Sequence, residues 1–151
     1  MKRMLGNDYL LLLVRLFLGF VFLYAGLEKI NDPENFARAI NNYRLLPFSL
    51  INFFAIVLPW MELTAGLLLI FGISIKENSF IITALLIVFI VIIIISLFRG
   101  LDINCGCFGT AGGAKIGVQK VIENLLLILL GLQLVYFGGG TFSLQHIPDK
   151  E

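Results

Sequence analysis

Charge is what this chain has least of. Only 14% of its 151 residues are charged, against about a quarter in a soluble globular domain. Eleven Lys and Arg stand against ten Asp and Glu, a net charge of +1. That balance offers no basic face to a nucleic acid. There is one histidine, His146, and a single imidazole does not make a metal site, so no metal is expected. Phosphate-cradling, dinucleotide and zinc-protease motifs are all missing. Cysteine is equally scarce, with Cys105 and Cys107 alone and no second pair.

What fills the chain is hydrocarbon. The hydrophobic fraction is 59% and the mean hydropathy is +0.97. Long apolar runs make this an all-α integral membrane protein, one domain over 1–151, because a lone strand in lipid leaves its backbone polar groups unpaired. Four spans are expected, near 9–27, 50–73, 80–98 and 118–137. Lys2 and Arg3 precede the first apolar run as in a signal peptide. Its length, the interruption at Arg15 and the lack of a small-x-small site instead predict a retained first span. Asn7 or Asp8 can cap its start.

The links differ in character. In "NDPENFARAINNYRLLP", Asp32 followed by Pro33 is a helix-start signal. Phe36, Ile40 and Tyr43 then share a face, which predicts a short amphipathic helix at the membrane surface. "SIKEN" reads as a tight turn between spans two and three. The third link, 99–117, is glycine-rich and carries both cysteines. Four spans put links one and three on one side of the membrane, and both termini and "SIKEN" on the other. Lys29, Arg38, Arg44, Arg99, Lys115 and Lys120 lie on the cysteine side, and Lys2, Arg3, Lys76 and Lys150 opposite. The positive-inside count thus points the cysteines inward. Persistent thiol oxidation requires an outer or periplasmic face, and the chemical consideration is given the greater weight.

Polar residues within spans need partners. Arg15 and Glu62 each lie about 12 residues from the link-one end of their spans, roughly 18 Å deep, which predicts an Arg15–Glu62 ion pair. Glu28, Lys29, Glu123 and Asn124 are shallow on the cysteine side and are expected to support the thiols. A carboxylate can take a thiol proton, and Lys29, Lys115 or Lys120 can stabilise a thiolate. Pro59 and Trp60, mid-span, are candidates to line a cavity. Gly19 and Gly26, seven apart, mark close helix packing.

In "DINCGCFG", a disulfide between Cys105 and Cys107 would close a very small ring. Such a ring adds little chain-entropy stability and strains the preferred geometry, which makes it easily exchanged. A redox-reactive pair fits best. Two free thiols in a turn, or half of a soft-metal site, are the other readings.

The segments "FLYAGLEKINDPENFARAINNYRLLP", "LPWMELTAGLLLIFG" and "CGCFG", in that order, resemble the MauE branch of the DoxX/MauE-like membrane proteins. The resemblance runs from about Arg15 into span four. It implies a role in methylamine utilisation, in maturing the exported, disulfide-rich small subunit of methylamine dehydrogenase with a thioredoxin-like partner. Cys105 and Cys107 match the redox pair, and Arg15, Glu28, Lys29, Pro59, Trp60 and Glu62 match motif positions. Four-helix quinone-linked disulfide generators relay between two cysteine pairs. A chain with one pair must exchange directly with a partner's dithiol, and a quinone or a second protein must reset it. The expectation is therefore a thiol–disulfide oxidoreductase of the bacterial cytoplasmic membrane. A non-catalytic membrane scaffold for an oxidoreductase and a Cu(I) carrier are the alternatives.

Overall fold

The computed structural model describes residues 7–45, 47–100 and 118–138. Within them the chain is helical: α1 (Asp8–Asn31), α2 (Pro33–Asn42), α3 (Phe48–Phe71), α4 (Ile75–Phe98) and α5 (Val118–Phe137). All but α2 are long and apolar enough to cross a bilayer. The protein is a multi-pass membrane protein built as a four-span bundle, with α2 as the short helix expected between spans one and two.

Local chemistry sets the boundaries. Asn7 Oδ1 accepts from the Tyr9 amide at 3.2 Å and caps α1. Asp32 serves two helices. Its N–H donates to the Glu28 carbonyl at the end of α1, and its carboxylate accepts from the Asn35 amide to start α2, with Pro33 in the first turn. At the far end of α3, Gly72 turns left-handed at φ 75°. The Gly72 and Ile73 amides donate to Leu69 and Leu68, a Schellman closure. The turn expected over "SIKEN" is shorter than its five residues. Helix α4 already begins at Ile75, because the Asn78 side chain donates from Nδ2 back to the Ile73 and Ser74 carbonyls at 2.8 and 3.1 Å.

Glycine sets the packing of α1 on α3. A methyl on Gly19 would come within 3.0 Å of the Gly66 carbonyl oxygen, and one on Gly26 within 2.9 Å of the Pro59 carbonyl oxygen. The backbones touch there, as small residues in membrane helices allow. These contacts also fix a register. Two antiparallel helices laid flush would bring Gly19 opposite residue 60, but it faces Gly66, so α3 is slid by about six residues, roughly 9 Å. Helix α5 packs on α4 through Gly131, which leaves no room for a methyl beside the Thr83 side chain. Leu18, Phe22, Leu69, Ile82 and Leu134 fill the core between them.

Helix α2 lays Phe36 and Ala39 inward, with Tyr43 buried at its end, and leaves Glu34 and Arg38 outside as an exposed pair. Arg99, closing α4, donates to the Tyr43 carbonyl at 3.2 Å. That bond ties the start of link three to link one, so the two links do meet at one end of the bundle.

Candidate functional site at the link end of the bundle

The strongest polar feature is an ion pair that differs from the expected one. Lys29 Nζ donates to both oxygens of Glu62, at 2.8 and 2.6 Å, and each side chain is only 3–4% exposed. Helical side chains lean toward their own N-terminus. On antiparallel α1 and α3, Lys29 therefore leans down toward Gly26 and Glu62 leans up toward Pro59, and they meet. The rings of Phe36 and Phe89 lie 5.2 and 5.5 Å from Nζ. The ammonium thus has a carboxylate beside it and two aromatic faces near it.

The predicted Arg15–Glu62 pair is not formed. Arg15 packs its guanidinium against Gly72, where an added methyl would lie 2.9 Å from Nη1. Gly72 is ten residues from Glu62, about 15 Å along the helix. Counting depth from span ends assumed flush helices, and the slide breaks that assumption. Arg15 lies instead at the carbonyl end of α3, where a cation complements the helix dipole. The slide also moves Trp60. It is 55% exposed on the outside of the bundle, and the adjacent Pro59 faces Gly26, five residues from the end of α1. Pro59 is buried against α1, and neither residue lines the groove between α1 and α5 described below.

The remaining expected residues divide. Glu123 accepts from Lys120 at 2.6 Å and from Gln119 at 3.1 Å. Asn124 is 1% exposed and donates to the Lys120 carbonyl at 2.8 Å, with its Oδ1 buried and without a partner among the described residues. Glu28, at the end of α1, has one carboxylate oxygen buried. Lys29 is engaged with Glu62, and Glu123 with Lys120 and Gln119. Cys105 and Cys107 lie outside the described residues, in the stretch between Gly100 and Val118. Among the described residues no cluster of three or more His, Cys, Asp or Glu is placed to hold a metal ion.

One feature was missed in the sequence. Between α1 and α5 runs a groove of about 780 Å³, with Phe17, Phe20 and Tyr24 on one wall, leucines on the other and Glu123 as its one charged residue. The signal was legible: three aromatics at i, i+3 and i+7 on the lipid side of a span.

Comparison with known proteins now bears on this geometry. Residues 7–137 match the family model described as methylamine utilisation protein MauE. The chain is 31% identical over 122 residues to the methylamine utilization protein MauE of Paracoccus denitrificans, covering 80% of this chain and 66% of that one. It is 32% identical over 126 residues to the protein of that name from Methylorubrum extorquens, covering 83% and 65%, and 28% identical over 134 residues to that of Methylophilus methylotrophus, covering 87% and 70%. The chain thus spans just under two thirds of the length of the first two of these relatives. No solved structure matches it significantly. A match over nearly the whole bundle, from the cap of α1 to the end of α5, means that this chain belongs to the MauE family.

Proposed function

We propose that this protein performs thiol–disulfide exchange at the outer face of the bacterial cytoplasmic membrane, through Cys105 and Cys107, in support of the oxidative maturation of an exported protein. The relatives' names, methylamine utilization protein MauE, support a client in methylamine utilisation. A thioredoxin-like domain is the partner. One thiolate attacks the partner's disulfide or is attacked by its dithiol, a mixed disulfide forms, and the second cysteine resolves it. Glu123 and Asn124 lie within two turns of the segment's end at Val118, Glu28 lies in the last turn of α1, and these are the polar groups available to handle the thiol protons.

The observation that carries this reading is the pairing of the chain's only two thiols, one residue apart, in a link whose first residue, Arg99, is tied to link one at the polar end of the bundle. The test is to trap mixed disulfides in cells carrying Cys105→Ser or Cys107→Ser. Each single variant should accumulate one adduct with a thioredoxin-like protein, and the double variant none. If maturation of the client proceeds normally in the double variant, the protein is a scaffold and the redox reading is wrong. Labelling with a membrane-impermeable thiol reagent tests the side. Protection in intact cells and reaction only after permeabilisation would overturn the outward placement.

A further inference from the structure

We infer that the bundle is built as two leaves hinged at the turn after α3, and that their swing opens and closes the seam between α1 and α5 at the link end. The first leaf is α1, α2 and α3, and the second is α4 and α5. Each leaf is continuous in the chain, so one covalent connection joins them, the turn from Gly72 to Ser74. Within that turn the freedom is narrow. The Ile73 amide donates to the Leu68 carbonyl of the first leaf at 3.0 Å. The Ile73 carbonyl accepts from Asn78 Nδ2 of the second leaf at 2.8 Å. Ile73 is thus held by a different leaf on each side, and its own two torsions are where the leaves turn. Hinges commonly confine an angular change to a few residues at the ends of elements.

Packing differs within and between the leaves. Each glycine inside a described span meets its own leaf: Gly19, Gly26 and Gly66 join α1 to α3, and Gly131 seats on Thr83 of α4. Close contacts of that kind hold each leaf together. Between the leaves the core is side chain on side chain, with Leu18, Phe22 and Leu69 from the first and Ile82, Leu127 and Leu134 from the second. Such layers accommodate small shifts of whole helices. The edge of α3 with α4 carries the turn and acts as the spine. The opposite edge, α1 with α5, is already parted by the groove of about 780 Å³. At the link end, Lys29 Nζ lies 5.5 Å from the ring of Phe89 on the second leaf, and Arg99 donates to the Tyr43 carbonyl of the first at 3.2 Å. These contacts form a clasp across the leaves. Opening withdraws Phe89 and uncovers the Lys29–Glu62 pair, which lies wholly on the first leaf and so survives the swing.

The experiment uses the full chain with Cys105→Ser and Cys107→Ser, in liposomes of phosphatidylethanolamine and phosphatidylglycerol, spin-labelled at pairs of exposed positions. Leu27→Cys with Ile122→Cys spans the seam at the link end, and Tyr9→Cys with Tyr136→Cys spans it at the turn end. Leu27→Cys with Phe53→Cys lies within the first leaf, and Ile95→Cys with Ile122→Cys within the second. The within-leaf pairs should each give one narrow distance. The Leu27–Ile122 pair should give a second, longer distance, and the Tyr9–Tyr136 pair should spread less. Phe89→Ala, which removes one contact of the clasp, should raise the share of the longer distance about twofold or more and leave the within-leaf distances unchanged. A second distance in either background supports the hinge. A Leu27–Ile122 distance as narrow as the within-leaf ones, with and without Phe89→Ala, overturns it. Within-leaf distances that spread as widely as the cross-seam one overturn it as well, since the bundle would then be loose throughout.

Discussion

At the scale of single residues, Lys29 and Glu62 matter most. Burying both charges costs desolvation that only mutual pairing offsets, so removing one partner strands the other. Lys29→Met should therefore destabilise the protein by about 3–5 kcal/mol, read as a fall in the unfolding midpoint in detergent. The double variant Lys29→Met, Glu62→Leu should recover most of that loss, whereas independent roles would make the two losses add. Arg15→Met should show no such coupling to Glu62→Leu. Tyr43 supplies a pH prediction. Burial pushes its phenol up to about 12, above the ordinary value near 10. A raised folded value favours the neutral form, so this contribution to stability is complete below about pH 10 and lost as pH rises through about 12. Phenolate absorbance of the folded protein should show one of the four tyrosines titrating late, a step that Tyr43→Phe removes.

At the scale of elements, the contact between α1 and α3 is a backbone contact. Gly66→Leu must push the helices apart, since even its Cβ would lie 2.9 Å from the Gly19 carbonyl oxygen. The same change at Gly100, with nothing within 4 Å, meets no neighbour and is limited to backbone strain from a φ of 65°, about 1–2 kcal/mol. Protease resistance of the detergent-solubilised protein should fall much further for the first. The helices themselves were legible in the sequence. Hydropathy alone located four spans, and Asp32–Pro33 announced α2, because caps and apolar length act locally. The partner of Glu62 was not legible from depth counted at span ends. It depends on where α1 and α3 touch, and only the placement of Gly19, Gly26 and Gly66 carries that information. The seven-residue step from Gly19 to Gly26 was visible, but its pairing with Gly66 and Pro59 across helices was not. Lys29 was expected beside the thiols, and its pairing with Glu62 was not foreseen.

At the scale of the whole molecule, the bundle has two unlike ends. Link one and the ends of link three share one; the turn between α3 and α4, the cap of α1 and Gly138 share the other. In a cysteine-free background, Glu34→Cys and Lys76→Cys should therefore react with an impermeable thiol reagent from opposite sides of the membrane, and like accessibility of the two would refute the four-span arrangement. Exposed Tyr9 and Tyr136 fall near one end, as expected of side chains that settle at a water–lipid boundary.

The slide of α1 against α3 has a mechanical consequence. A flush pair would have spent Arg15 and Glu62 on each other at mid-height, a single fastening about which the two helices could pivot. Slid by about six residues, the same helices are fastened twice: Arg15 at the carbonyl end of α3, and Lys29 with Glu62 near the links. Sliding either helix by one turn would undo both fastenings together, so the pair resists piston-like motion. The link end is thus carried on a frame that does not shorten or lengthen beneath it.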